Sequence, residues 1–471
     1  MNSLTESGKF ENLIVLNIPN YTNYESKDFL KCPHVLQILG SYDFWGLNHY
    51  STYLVEPTKV TTSILHGDFI GLFLGAKISF DPTWPKSAIP HTPSVPWGFR
   101  KMLNWINQGY GSPEIYIMEN GYPDSPNTGL EDVARVKFHR DYINEMLKAV
   151  KIDGVQVTMY TAWGLLDCFE WTHAPGHKNI NQAVNCIRNV IKSHARVYRL
   201  YDRVFRPYQG GKVGMSLFSY WLEPKDPKNP AHQKVAEYWM QIMWGIFAFP
   251  IVFGDYNEET KQLLGKFKKF KLTSSPIEFT LEESVEIKGS YDFWGLNHYS
   301  TFLVEPSKVI TSIVHGDLTG LVLGIKISTD PNWPESAKYD LTIVPWGFRK
   351  MLNWIREGYG SPEIYITENG YPDSPQTGLE DVARVKFHRD YINQMLKAVK
   401  IDGVRVTMYT AWGLLDCFEW YFGYTVNFGV VYVNHSDPER PRTPKLSSSC
   451  LQQIFAENGF PQTSFPLLKI G

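Results

Sequence analysis

Two carboxylates in this chain stand in the same setting. Glu368 lies in E-I-Y-I-T-E-N-G-Y-P (363–372) and Glu119 in E-I-Y-I-M-E-N-G-Y-P (114–123). In each, four residues suited to a buried strand run into the glutamate, and Asn-Gly then turns the chain. That puts a carboxylate at the carboxyl end of a strand, where α/β folds place their chemistry. The plainer reading is a glutamate capping a turn. Around it the chain is rich in rings, with 15 Trp and 27 Tyr. Aromatic faces stack on the apolar C–H faces of pyranoses, and they also fill large cores; composition alone does not choose.

The elements that position these carboxylates repeat. Residues 40–171 return as 289–420 at a constant offset of 249 without a gap, with 23 mismatches in 132 positions. The mismatches concentrate between Tyr53 and Ser94. Solenoid periods are far shorter, so this reads as a recent partial duplication or a faulty join in the gene model. Each unit has the rhythm strand, helix, strand, helix, strand. In the second, strands are expected over 291–299, 364–367 and 404–412, with 42–50, 114–118 and 155–163 their counterparts in the first. Helices are expected over 346–357 and about 379–399. The long one is opened by a Thr377/Glu380 capping box and carries an apolar face of Val382, Val385, Ile392, Met395, Leu396 and Val399. Between the units, 179–200 and 231–246 read as helices, 212–220 as a strand and 255–288 as a charged loop. After Trp420 a hairpin-like finish and a last helix are expected. Leu13 to Ile18 is one short candidate strand in an otherwise irregular head, 1–39. The domain reading is therefore 1–39, a first copy 40–171, a middle segment 172–288, and a second copy with the C-terminal end, 289–471.

At 471 residues, 43% hydrophobic, 20% charged and a net charge of −2, the chain suits a large soluble α/β fold. No basic excess exists to hold nucleic acid. Five cysteines, with Cys168 and Cys417 one position seen twice, make neither a disulfide framework nor a metal-ligand spacing. The first residues, M-N-S-L-T-E-S-G-K-F-E-N, lack the basic start and apolar run of a secretory signal. Trp239 to Phe253 is short against the ~20 residues of a spanning helix and reads as a core helix ending in a loop at Pro250.

Several strings together resemble glycoside hydrolase family 1, the family of β-glucosidases, lactase-phlorizin hydrolases and myrosinases, with insect members nearest in flavour. They are Y-I-T-E-N-G (365–370), G-L-N-H-Y-S (295–300), W-G-L-L-D-C-F-E-W (412–420), N-F-G-V-V-Y-V (427–433), A-P-G-H (174–177), H-A-R-V-Y (194–198) and F-R-P-Y-Q-G-G-K-V-G (205–214). The resemblance covers nearly everything from Gly40 onward. It implies an α/β fold of the (β/α)8 TIM-barrel type and a small carbohydrate or glucoside substrate, with no cofactor and no metal. Members are often secreted or lysosomal. It implies Glu368 as the nucleophile, Tyr299 as the phenol bonded to it and Asn297 as its neighbour. Trp412 would be the platform beneath the sugar, Glu419 and Trp420 the readers of its outer hydroxyls, and Phe428 a wall. The duplicate equivalents are Glu119, Asn48, Tyr50, Trp163, Glu170 and Trp171. The physics is coherent: a carboxylate attacks, a phenol fixes it, an indole stacks, and a second carboxylate accepts paired hydroxyl bonds.

The chain departs from the family's pattern. Cys417 stands for a usual Asn, Gly413 for a Ser, and Met118 for a Thr. The family's proton donor comes from Asn-Glu-Pro just upstream of A-P-G, and no such tripeptide occurs. The first-strand Gln and third-strand His-Trp that grip the sugar are also missing. In family terms the barrel strands run six to eight, five, then six to eight again, an incomplete or rearranged barrel. The expectation is a retaining β-glycosidase by descent, impaired for want of an acid/base. The alternative is a non-catalytic carbohydrate-binding or defunct pseudoenzyme. On architecture, the first copy is expected to stand in for lost strands, with 155–163 pairing beside 212–220 and Glu170 the carboxyl near the donor position.

Overall fold

The computed structural model describes residues 3–6, 10–13, 44–57, 76–88, 93–124, 133–162, 180–307, 325–336, 341–417, 419–437 and 441–460. It resolves into two compact units: Met1–Gly176 with Leu415–Thr425 and Val430–Gly471, and His177–Leu414 with Val426–Gly429.

The second unit is built on a four-stranded sheet, ordered Gly214–Phe218, Phe293–Asn297, Glu363–Asn369, Arg405–Ala411, with every neighbour parallel. Helices supply the crossovers. Pro345–Gly358 buries Gly347, Phe348, Met351, Leu352 and Ile355, the face its 3.6-residue spacing dictates. Val382–Lys400 follows Glu363–Asn369. Its buried face is Arg384, Phe387, His388, Tyr391, Ile392 and Ala398. Only Ile392 of the expected apolar stripe is among them, and Val382 is exposed. The face carries rings and polar heads that find internal partners, so hydropathy alone mislocates it. The expected capping box is also absent there: the Asp381 side chain makes no N-capping bond, and Thr377 Oγ1 instead donates to Asp373 Oδ1 at 2.7 Å. A true capping box sits at Thr280 and Glu283, opening Leu281–Ile287. It lies in the stretch expected to be loop, which also holds the helix Glu258–Lys269.

The helix expected over 231–246 starts at Pro230 and runs on, through a π-helical turn at Gln241–Gly245, to Phe253. Pro250 lies inside it rather than ending it. The 24-residue run is long and apolar enough to cross a membrane, and most of its apolar window is buried within the fold, as in a core helix. A second sheet, unforeseen, pairs Thr301–Pro306 with Trp221–Pro224 in parallel and with Ile325–Ser328 antiparallel.

In the first unit, Trp45–Asn48, Glu114–Asn120 and Gln156–Ala162 form a three-stranded parallel sheet with Glu114–Asn120 in the middle. Its ladder, Trp45↔Ile115 to Leu47↔Ile117, is that of Trp294↔Ile364 to Leu296↔Ile366 moved by the sequence offset. Phe99, Met102, Leu103, Ile106, Phe138 and Tyr142 pack the helices Pro96–Gly109 and Val133–Lys151 on this sheet. The hairpin-like finish expected over 421–433 is instead a 3-10 turn, Trp420–Thr425, and a strand, Val431–Val433, that pairs antiparallel with Arg442–Pro444 ahead of the expected last helix, Leu446–Ala456. Phe10–Leu13 pairs antiparallel with Ser3–Glu6; residues 14–18 of the expected head strand lie outside the described residues.

Among the described residues the barrel does not close: Gln156–Ala162 is hydrogen-bonded only to Glu114–Asn120, and Gly214–Phe218 only to Phe293–Asn297, so the expected pairing of 155–163 beside 212–220 is not formed. The reason is local: each sheet already has a complete strand–helix–strand hydrophobic sandwich, and nothing in the pleat of an edge selects a distant partner.

Candidate active site

The carboxyl ends of Phe293–Asn297 and Glu363–Asn369 meet at an irregularity. The ladder runs Leu296↔Ile366 and then Asn297↔Glu368, so Thr367 is an extra residue opposite nothing. A bulge of this kind re-aims the side chains beyond it. Here it sets Glu368, half-buried, against the phenol of Tyr299, whose Oη donates to Glu368 Oε2 at 2.7 Å. The bulged Thr367 turns its hydroxyl to Asn297 Oδ1, and Ser216 Oγ reaches the same oxygen at 3.3 Å. Backbone bonds lock the junction. His298 N donates to Glu368 O at 3.0 Å, and Asn369 Nδ2 returns to His298 O at 2.7 Å. Tyr409 Oη donates to Asn369 Oδ1 at 2.8 Å, with His388 Nδ1 on that phenol at 3.1 Å. Burial pushes the Tyr409 phenol well up and holds the His388 imidazole down, to about 3. Both stay neutral, as a fixed framework must.

Trp412 joins at the end of the neighbouring strand, its N–H donating to Asn369 O at 2.9 Å. A side chain at Gly370 would meet the Trp412 carbonyl oxygen at 2.0 Å, so this approach needs glycine. Phe428 closes the other side, with Gly413 N donating to Phe428 O at 3.2 Å and its ring edge-on to Tyr299 at 6.1 Å. Asn427, which carries Phe428, exchanges both backbone bonds with Asp373 at 2.9 Å. Arg384, wholly buried, donates from Nη2 to Asn427 O at 2.6 Å and pairs with buried Asp381. Sequence reasoning missed this clasp. Its signal was an arginine on the helix face that buries, legible only once the face is known.

The structure thus brings together Glu368, Tyr299, Asn297, Trp412 and Phe428 in one unit. Glu419 and Trp420 belong to the segment 415–425 of the other. Glu419 is buried, with Cys417 Sγ at 3.3 Å from Oε1 and its N–H bonded to Gly423 O at 2.8 Å. Trp420 begins a 3-10 turn, Trp420–Thr425. The first unit repeats the carboxylate–phenol pair: Tyr50 Oη donates to Glu119 Oε2 at 2.5 Å, and Asn48 stands opposite Glu119 in the ladder. Trp163, Glu170 and Trp171 lie outside the described residues. Among the described residues no cluster of three or more His, Cys, Asp or Glu could hold a metal ion.

The model of the family described as glycosyl hydrolase family 1 matches residues 27–174 and 172–460. The chain is 39% identical over 276 residues to human cytosolic beta-glucosidase, covering 58% of this chain and 57% of the relative. It is 27% identical over 613 residues to human lactase/phlorizin hydrolase, covering 81% and 31%. Among solved structures, an aphid myrosinase aligns with a TM-score of 0.64 at 26% identity, covering 77% of this chain and 79% of its own. A beta-glucosidase from the fungus Humicola insolens gives 0.63 at 27%, covering 78% and 80%. The chain spans less than two thirds of the length of the curated relatives it matches.

Proposed function

Because this chain belongs to glycosyl hydrolase family 1, we propose that it is a retaining β-glycosidase by descent whose glycosyl-accepting half is intact and whose proton-donating half is missing. The observation that carries the reading is the 2.7 Å bond from Tyr299 to Glu368 at a strand-end bulge. A carboxylate so held attacks the anomeric carbon along one line, and the phenol stabilises it without quenching it. Within this unit Trp412 supplies a stacking face, Phe428 a wall and Asn297 a partner for a hydroxyl.

Retention also needs a second carboxyl about 5–5.5 Å away, to protonate the leaving oxygen and later to activate water. The sequence has no Asn-Glu-Pro to provide it. We read the 40–171 and 289–420 segments as a duplication, with family strands six to eight on either side of strand five, in place of the strands that would carry that donor. Ordinary alkyl glucosides and cellobiose should then be cleaved about 10²–10⁴-fold below a complete enzyme. A glycoside with a leaving group that needs no proton should still esterify Glu368.

The test is a stopped-flow assay with 2,4-dinitrophenyl β-glucoside. A burst of dinitrophenolate, then slow turnover that azide accelerates, with both lost in Glu368→Gln, is the expected result. Rapid cellobiose cleavage lost in the same variant would show that a donor is present. Saturable glucose binding with no burst would favour the carbohydrate-binding alternative.

A further inference from the structure

We propose that Glu119 is a second covalent glycosyl acceptor, a carboxylate that an activated β-glycoside can esterify independently of Glu368. The inference rests on the reading of Glu368 as a nucleophile, and asks whether the first unit has the same equipment. It has the parts that act on the carboxylate. The ladder slips at Met118 as its counterpart does at Thr367, leaving Asn48 opposite Glu119. Tyr50 is buried and its phenol sits 2.5 Å from Glu119 Oε2. The backbone lock is complete: His49 N donates to Glu119 O at 2.9 Å, and Asn120 Nδ2 to His49 O at 2.5 Å. Tyr160 Oη donates to Asn120 Oδ1 at 2.7 Å, with His139 Nδ1 3.0 Å from that phenol. Glu119 is half-buried, as Glu368 is.

What differs is the support of the asparagine. Asn297 is held by the hydroxyls of Thr367 and Ser216. Beside Asn48, Met118 offers a thioether, and the Trp45–Asn48 strand is hydrogen-bonded only to Glu114–Asn120 among the described residues. Glu119 should therefore react, but more slowly.

The step balances without a proton donor. A Glu119 carboxylate oxygen forms a bond to the anomeric carbon. The bond from that carbon to the dinitrophenyl oxygen breaks, and the phenolate departs with the electron pair and the negative charge. With a 2-deoxy-2-fluoro sugar, hydrolysis of the ester is slow enough for the adduct to be mapped.

The full chain is incubated with 2,4-dinitrophenyl 2-deoxy-2-fluoro-β-glucoside and its peptides mapped by mass spectrometry over time. The expected result is an adduct on the peptides of both Glu368 and Glu119, the second forming roughly 10–100-fold more slowly for want of the two supporting hydrogen bonds. The Glu119 adduct should persist in Glu368→Gln and slow by at least roughly tenfold in Tyr50→Phe, which removes a hydrogen bond to a charged group. An adduct on Glu368 alone overturns the inference and leaves the proposed function standing, whereas an adduct on neither overturns both. Labelling of exposed carboxylates such as Glu282 as fast as Glu119 also overturns it, since the pair would then confer nothing.

Discussion

Removing one oxygen from Tyr299 isolates what the phenol does for Glu368. A hydrogen bond to a charged acceptor contributes roughly 1.5–3 kcal/mol, so Tyr299→Phe should slow the dinitrophenolate burst by about 10–100-fold. A burst at the wild-type rate would mean the phenol is a bystander. The repeat supplies a second experiment at this scale. Thr367→Met gives Glu368 the neighbour that Glu119 has, leaving Asn297 with Ser216 alone; the burst should fall roughly tenfold, the effect of about one hydrogen bond. Met118→Thr should raise the rate of Glu119 labelling by a similar factor. Glu368, Tyr299, Asn297, Trp412 and Phe428 were picked out by short strings that resemble the family, and the structure places the five in one unit. What the strings do not contain is the bulge. Thr367 reads as one more β-branched strand residue, and its loss of a ladder partner is a property of two strands at once.

Elements were legible where their signal is local. Apolar spacing located the Pro345–Gly358 helix and its buried face to within a residue or two. The Val382–Lys400 helix was found, but its stripe was set to one side of the fully buried face, with Ile392 buried, Val382 exposed and the other four half-buried, because Arg384, His388 and Tyr391 look solvent-bound until their partners are known. That error hid the clasp. Arg384 and Asp381 are both wholly buried, and truncating one partner of such a pair costs about 3–5 kcal/mol, because the other charge is left in a low-dielectric interior. Arg384→Met should lower the urea midpoint accordingly and, by freeing Asn427, loosen Phe428. An unchanged midpoint would show that solvent reaches Asp381. Arg349 is a useful contrast. It grips Asp402 with two bonds at 2.7 and 2.6 Å, yet both side chains are partly exposed, so Arg349→Met should move the urea midpoint far less than Arg384→Met does.

At the scale of the whole molecule, the strand–helix alternation led to the α/β class, whereas the further expectation that 155–163 would pair beside 212–220 is not met among the described residues. Which edges pair is decided by long-range contacts that no window of sequence contains. Another property of the whole is its population of buried imidazoles. Burial holds His49 and His388 down to about 3 and His298 to about 4. Each folded pKa lies below the unfolded value of about 6.5, so the unfolded chain binds protons that the fold refuses. Stability is therefore fully present above pH 6.5 and is lost as pH falls toward the folded values. At pH 5 each ring should cost about 2 kcal/mol. Urea midpoints measured from pH 7 to pH 5 should fall steadily; a flat profile would mean that the rings take up protons in place. His49 is the most exposed to this argument, since among the described residues neither of its buried ring nitrogens has a hydrogen-bond partner, whereas His298 Nδ1 meets Ser219 O at 3.0 Å.

The slip at Thr367 makes the reactive end of its strand a matter of parity. Along a regular strand, odd and even residues face opposite ways, and one unpaired residue exchanges the two for everything after it. Deleting Thr367 would keep the glutamate opposite Asn297 and make the ladder more regular, while removing both the extra residue that re-aims the strand end and the hydroxyl that holds Asn297. The same count governs the first unit at Met118. Single-residue insertions or deletions in these two strands should accordingly be far more damaging to glycosyl transfer than substitutions at the same positions. Pairs of them that restore the count upstream of the glutamate should recover it.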